Sequence, residues 1–471
     1  MTGIAWALHA RVGRLSTGLT LLLGAWPSSW PPWSSSAFLS VPLNPRAPLV
    51  PLMLKQVDIE RWNSRRRGSL SEARGPVVDI ISQVREKGDE ALFELTERFD
   101  KVRLEHLKVT REEIEEAYRE VDGALVDALR TSKANIEAFH RMQRPADMWT
   151  REVSPGLVLG VKTTPLDSVG IYVPGGRASY PSTVLMCSVP ARVAGVPHVI
   201  MCTPPPVSPL TLVAADISGV DAIYKVGGAQ AIAAMAIGTK SISPVQKIVG
   251  PGNIYVTTAK MALRHLVEID SPAGPSEIAV LADSTADEGF IAADILAQAE
   301  HDPNAACILI TTDETLASKV GREIEKMIVR SERKEIIERS LQNCGYVLAR
   351  DEASAVELVN FIAPEHLSIQ VGDPQKALQG VRNAGSIFVG RYAAVALGDY
   401  ASGTNHVLPT AGFAHVHSGL DVPQFMKRSS VQIVEREGLE FLADTVIKLA
   451  KAEGLHAHAR SVSIRRQSDE G

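Results

Sequence analysis

Five groups of residues in this chain have types and spacings suited to chemistry. The run Gln298-Ala-Glu-His301-Asp302 sets an amide and an imidazole three positions apart, near the end of a helical stretch that starts at about Asp287. Positions i and i+3 share a helix face, so both side chains can aim at one point, as metal ligands must. Imidazole is a common zinc ligand and glutamine an uncommon one, so this pair needs companions; alone it equally describes a polar helix end. Ala363-Pro364-Glu365-His366-Leu367 places a carboxylate beside an imidazole, at what reads as the start of a helix after proline. Such a pair serves as two general bases, or as a base and its orienter, although a capping Glu beside a core His looks the same.

The stretch Leu397 to Thr410 sets Asp399, Asn405 and His406 among glycines and small residues. It reads as a loop, where functional groups concentrate, or as a plain tight turn; Asp399 adds a hard oxygen ligand. Near the C-terminus, Glu453-Gly-Leu-His456-Ala-His458 offers a carboxylate and two imidazoles, or simply a solvated helix end. Finally, glycine turns follow three β-rich runs: Tyr172-Val-Pro-Gly175-Gly176, Val226-Gly227-Gly228-Ala229-Gln230 and Gly250-Pro-Gly252-Asn253. None is the usual dinucleotide fingerprint. Each still presents backbone N–H groups at a strand end, where α/β sheets bind ligands.

The elements that position these groups follow from hydrophobic period. Asp58 to about Thr150 keeps apolar residues at helical spacing and predicts helices. From Val158 onward, short runs such as Val169–Val173, Val199–Cys202 and Ala222–Val226 alternate with small-residue helices such as Ala229–Ala236. Ile278–Leu281, the helix Asp287–Glu300, Ala306–Thr311 and the helix Thr315–Val329 repeat the pattern. Strand, helix, strand with short connections implies parallel α/β sheets. Val422 to Leu449 reads as an amphipathic, mainly helical stretch.

A chain of 471 residues is too long for one ordinary core. Net charge is -5 with no extended basic stripe, which points away from nucleic acid. The four cysteines, Cys187, Cys202, Cys307 and Cys344, form no CxxC pair, so buried small residues are expected rather than disulfides or thiolate-bound zinc. The first 52 residues differ from the rest. No Asp or Glu precedes Asp58, Ser and Pro are dense from Pro27 to Pro51, and the apolar run Leu19 to Ala25 is too short to span a bilayer. A basic start, a short apolar core and small residues before Phe38 make an import segment, and plastid delivery through a bipartite presequence is the expectation. No membrane span is expected in the remainder.

Eight motifs, in one order and spacing, closely resemble histidinol dehydrogenase: Tyr172-Val-Pro-Gly-Gly, Val226-Gly-Gly-Ala-Gln230, Val249-Gly-Pro-Gly-Asn253, Ala273-Gly-Pro-Ser276-Glu, Gln298-Ala-Glu-His301-Asp-Pro, Ala363-Pro-Glu365-His366-Leu, Gly398-Asp399-Tyr and Asn405-His-Val-Leu-Pro-Thr. The resemblance runs from about Leu54 to Arg465. It implies oxidation of L-histidinol to L-histidine in two NAD-dependent steps through bound L-histidinal. It implies one zinc held by Gln298, His301, Asp399 and the partner's His458. Glu365 and His366 would be the catalytic pair. Ser276 and Glu453 would contact substrate together with Gln298, His301, Glu365, His366, Asp399 and His458, and Tyr172, Gln230 and Asn253 would contact NAD.

The implied fold is α/β, with two incomplete Rossmann-like parallel-sheet domains. The expected division is a presequence over 1–52 and a helical N-terminal segment over 53–75. A catalytic and zinc domain over 76–170 and 276–420, an NAD domain over 171–275, and a C-terminal arm over 421–471 complete it. The arm would be exchanged in a homodimer. A sister zinc/NAD dehydrogenase of another amino- or sulfo-alcohol is the alternative; the presence of both Glu453 and His458 argues against it. The chain also departs from the family pattern. Ala393-Ala394-Val395 stands where Pro-Glu is common, His415 and His417 interrupt an Ala-Arg-Phe-Ser-Ser-Gly run, Asp421 replaces a small residue, and Asp270-Ser271 differs mildly.

Overall fold

The computed structural model describes residues 54–66, 71–175, 179–272 and 274–467. The import segment expected over 1–52 therefore lies outside the described residues, as do Gly176 and Ala273 of the motifs above. Along the chain the strands are β1 (Lys55–Gln56), β2 (Met148–Ser154), β3 (Leu157–Pro165), β4 (Ser168–Tyr172), β5 (His198–Thr203), β6 (Ala222–Lys225), β7 (Lys247–Val249), β8 (Glu268–Ile269), β9 (Glu277–Ala282), β10 (Ala306–Thr311), β11 (Gly345–Leu348), β12 (His366–Gln370), β13 (Ser386–Val389) and β14 (Met426–Val434).

Two sheets are wholly parallel. One runs β1-β11-β10-β9-β12-β13, the other β6-β5-β4-β7-β8. β9, β10 and β12 are buried at every position, which is why they read as continuous apolar runs rather than alternating ones. In each sheet the chain first winds to one side and then reverses. The reversal falls between β9 and β12 in the first sheet, and between β4 and β7 in the second.

The helices Ser71–Lys87 and Asp89–Asp100 bury Val77, Ile80, Val84, Leu92 and Leu95 against Ile232 and Met235 of the five-stranded layer. The helix Gly123–Gln143 buries Val126, Leu129 and Ile136 against Leu185 and Met186 on the other side. By packing, residues 76–143 thus cover the five-stranded sheet, whereas the sequence grouped 76–170 with the catalytic domain. The expected all-helical segment over 53–75 also opens differently. β1 pairs with β11 at Lys55↔Gly345, and the helix Ile59–Arg66 sinks Trp62 into the six-stranded layer, where its indole N–H donates to Asn343 O at 2.7 Å.

The C-terminal stretch is not mainly helical from Val422. β14 forms nine antiparallel pairs with β3, from Met426↔Pro165 to Val434↔Leu157, in a three-stranded sheet β14-β3-β2. A long-range partner overrides a pattern that continues smoothly into the helix Arg436–Ala452. That helix and His456–Gln467 pack on each other. They leave Phe441 67%, Leu449 60% and Ile464 52% exposed, an apolar face without a cover in one chain. Among the described residues no helix is long and apolar enough to cross a membrane.

Candidate active site

Glu365 and His366 sit at a helix-to-strand junction, not at a helix start. The helix Glu352–Ile362 ends on Ala363 with φ 50, Pro364 forbids its continuation, and His366 opens β12. Both residues are nearly fully buried. Gly385 lets the next loop approach: a Cβ there would stand 2.6 Å from Glu365 O. Glu277, the first residue of neighbouring β9, holds the pair by its main chain. Its N–H donates to Glu365 Oε2 at 2.7 Å, and its carbonyl lies 3.2 Å from His366 Nδ1. A carbonyl only accepts, so Nδ1 carries a proton, and Nε2 is the nitrogen turned toward Asp399. Asp399 Oδ1 is 3.6 Å from that Nε2, too far for a hydrogen bond yet close enough for strong attraction.

Burial pushes Glu365 up to about 8. Burial opposes the His366 cation, but the carboxylates of Glu365 and Asp399 outweigh it and raise the imidazole. Asp399 is held low despite burial, because His366, His406 and His301 surround it with imidazoles. The Glu277 side chain is itself fully buried and forms an ion pair with Arg66, which reaches over from the N-terminal helix and also donates to Ile362 O.

Gln298 lies in the last turn of the helix Glu288–Ala299, capped by Asp287, whose Oδ1 accepts from Gly289 N–H at 2.9 Å. Gln298 is 2% exposed and its Nε2 has no partner. Exchange of the two amide ends by a flip turns the oxygen to the same place. His301 lies just beyond the helix, in a turn where its N–H donates to Gln298 O at 3.3 Å, and it is exposed in the single chain. Asp399 stands in the short helix Val395–Tyr400, not in a loop. Nε2 of Gln298, of His366 and of His406 are all buried and unpartnered, and both imidazoles face Asp399. Buried polar atoms without partners are rare, so a group of them marks a place for something bound.

The donor set of one amide, one imidazole and one carboxylate suits zinc in chemistry and falls one ligand short. Among the described residues, no group of three or more His, Cys, Asp or Glu is drawn together to hold a metal. Glu453 and His458 stand exposed on the C-terminal arm, and neither side chain bonds to the pocket residues of its own chain. Ser276 immediately precedes β9 beside the pair.

Sequence reasoning passed over Asp294. It sits one turn before Gln298, 8% exposed, with Gln370 Nε2 at 3.4 Å and Ser368 Oγ at 3.5 Å on β12. It also accepts from the backbone of Val395, at the start of the helix bearing Asp399. One carboxyl therefore ties both candidate ligand helices to the strand of His366. Its only signal in the sequence is a polar residue on the buried stripe of that helix.

The second sheet gathers the other expected positions. Strand order reverses between β4 and β7, and the carboxyl ends of strands at such a reversal are the usual ligand-binding place of an open α/β sheet. Tyr172 ends β4, and its hydroxyl accepts from Gly228 N–H at 3.1 Å, beside buried Gln230. Asn253 caps the helix Ile254–Leu263, accepting from Tyr255 N–H at 3.0 Å and Val256 N–H at 3.2 Å. Tyr172, Gln230 and Asn253 thus lie at or just past the carboxyl ends of β4, β6 and β7.

Asn405 is structural: it donates to Met186 O at 2.7 Å and accepts from Val407 N–H at 2.9 Å. The departures also have local roles. Val395 fills the core above β9, His415 Nδ1 meets Asn383 Nδ2 at 3.0 Å, His417 packs against Phe413, and Asp421 caps the turn at Gln424. All four cysteines are free and buried, and burial drives the thiols of Cys187 and Cys202 far up, which suits packing and not nucleophilic chemistry.

Fold and site together define an α/β protein with a buried Glu–His pair in one parallel sheet and a strand-order reversal in the other. The family model for histidinol dehydrogenase matches residues 63–466. The chain is 52% identical to the histidinol dehydrogenase of Methanosarcina mazei, over 88% of this chain and 96% of that protein. It is 50% identical to the one of Clostridium acetobutylicum, over 82% and 90%. The crystal structure of histidinol dehydrogenase from Elizabethkingia anophelis superposes with a TM-score of 0.84 at 35% identity, over 89% of this chain and 99% of that one. The chain belongs to the histidinol dehydrogenase family.

Proposed function

We propose that this enzyme oxidises L-histidinol to L-histidine in two steps, each delivering a hydride to NAD, with L-histidinal held between them. The observation that carries the reading is the buried Glu365–His366 pair, fixed by the main chain of Glu277 and facing Asp399. In the first step His366 Nε2 takes the hydroxyl proton while hydride leaves the carbinol carbon for the nicotinamide. In the second, Glu365 takes a proton from water as the water oxygen bonds to the aldehyde carbon, and the resulting hydrate gives up the second hydride. Ser276 and Glu453 would hold the substrate.

Gln298, His301, Asp399 and the partner's His458 would hold zinc, whose four N and O ligands leave it able to accept the substrate's imidazole and amine and so position them. The single chain's ligand shortfall and the bare apolar face of the arm both support a homodimer with exchanged arms. Tyr172, Gln230 and Asn253 would line the NAD crevice of the 171–275 domain.

The test is NADH release from the purified protein given L-histidinol, with and without a chelator. Two NADH per L-histidinol, lost on chelation and restored by zinc, is the expected result. No turnover of L-histidinol by metal-loaded protein overturns the reading. The acid-free, Ser- and Pro-rich composition of residues 1–52 supports plastid import. A fluorescent protein fused behind those residues should enter plastids; retention in the cytosol overturns this part.

A further inference from the structure

The five-stranded layer contains a buried ion pair that the acid–base chemistry does not use. Lys260 is 5% and Asp270 7% exposed, and Lys260 Nζ stands 2.7 Å from Asp270 Oδ1. The same Nζ donates to Gly250 O at 2.5 Å, and Asp270 Oδ2 accepts from Gly250 N–H at 2.7 Å. The donor and the acceptor of one residue are therefore gripped by the two ends of one ion pair.

Gly250 is the residue where the grip matters. It leaves the end of β7 with φ 113, a conformation that suits only glycine, and a Cβ there would stand 2.1 Å from Tyr172 O. It also begins the turn to Asn253, the cap of the helix on which Lys260 sits. The ion pair thus joins the end of β7, the end of β4 and the N-terminus of the helix Ile254–Leu263. These segments flank the reversal between β4 and β7. An apolar pair of similar volume fills such a space without the desolvation penalty of two buried charges, so charge here sets position rather than strength.

We propose that Lys260 and Asp270 are positioning residues for the dinucleotide: by holding Gly250 they set the backbone against which the cofactor lies. This rests on the cofactor reading above. Neither residue is placed in contact with the cofactor or with the reacting atoms.

The test compares wild type with Asp270→Asn, Lys260→Arg and the neutral double variant Lys260→Gln/Asp270→Asn. The double variant removes both charges of the pair together, and Lys247, buried near Asp270, keeps Glu268 and Asp421 as acidic neighbours. NAD affinity is measured by calorimetry on the zinc-loaded enzyme, L-histidinol affinity separately without NAD, and kcat at saturating NAD. Asp270→Asn and the double variant should weaken NAD about tenfold or more, with kcat and L-histidinol affinity held within about twofold, and Lys260→Arg should recover most of the NAD affinity. NAD affinity within about twofold of wild type in the folded double variant overturns the proposal. So does an equal loss for NAD and L-histidinol, or failure of even the neutral variant to fold, either of which assigns the pair to general stability. Absence of NAD binding by wild type itself sinks the cofactor reading, and this inference with it.

Discussion

Glu277 donates its main-chain N–H to Glu365 Oε2 at 2.7 Å. The same residue offers its carbonyl to His366, so one backbone unit orients both halves of the acid–base pair. Its own carboxylate is buried and neutralised by Arg66, from a helix more than two hundred positions earlier. An ion pair at the N-terminal helix is therefore coupled to the geometry of the active site.

Breaking that pair should be costly. Arg66→Met leaves the Glu277 carboxyl buried alone, and the loss should be about 3–5 kcal/mol in urea denaturation. Adding Glu277→Gln should return at least half of it. A single variant within about 1 kcal/mol of wild type removes the ion pair from the account of the site.

Glu365→Gln keeps the acceptor oxygen for Glu277 N–H but loses the proposed base. Oxidation of L-histidinal should fall by about 10²–10⁴, because water activation is lost, while reduction of NAD by the alcohol step falls much less. Single-turnover measurements with each substrate separate the two. Equal losses contradict the division of labour between Glu365 and His366.

Asp294 makes stability depend on pH with a definite sign. Burial pushes it up to about 6, above the ordinary 3.8 of the unfolded chain, so the folded state holds its proton more tightly. Below the ordinary value both states are protonated and nothing is lost. As pH rises toward about 6 the unfolded chain ionises first, and the penalty grows to about 3 kcal/mol, an order-of-magnitude figure, and persists above. Asp294→Asn should therefore stabilise the protein at pH 8, and most of that gain should vanish by pH 4.5. A gain that is equal at both pH values rules out the ionised carboxyl as its source.

The proposed exchange of the arm makes a prediction by complementation. His301→Ala and His458→Ala should each be nearly inactive. Unfolding and refolding them as a mixture should restore about a quarter of wild-type activity, since half the dimers are mixed and each holds one complete site. If His458 serves its own chain, the mixture stays as inactive as its parts.

Much of this architecture is written locally in the sequence. Parallel sheets follow from short, wholly apolar strands alternating with helices, because burial on both faces demands that composition. Asp287 announces its helix by capping chemistry, and the helical period then puts Gln298 at the buried end. The isolation of the four cysteines already marked them as packing residues.

Tertiary structure decided the rest. Glu365 and His366 look like a helix start until Ala363 turns left-handed and β12 pairs with β9 and β13. Met426–Val434 continues a helical pattern until β3 captures it as a strand. Arg66 meets Glu277 across 211 positions, and Asp294 meets Gln370 across 76, distances over which no periodicity extends. Gln298-Ala-Glu-His301 offers two candidate ligands at a helix end, since spacing along a helix turn is a local property. Bringing Asp399 to them, and leaving Glu453 and His458 to reach outward on an exposed arm, depends on packing between distant segments, which only the folded chain resolves.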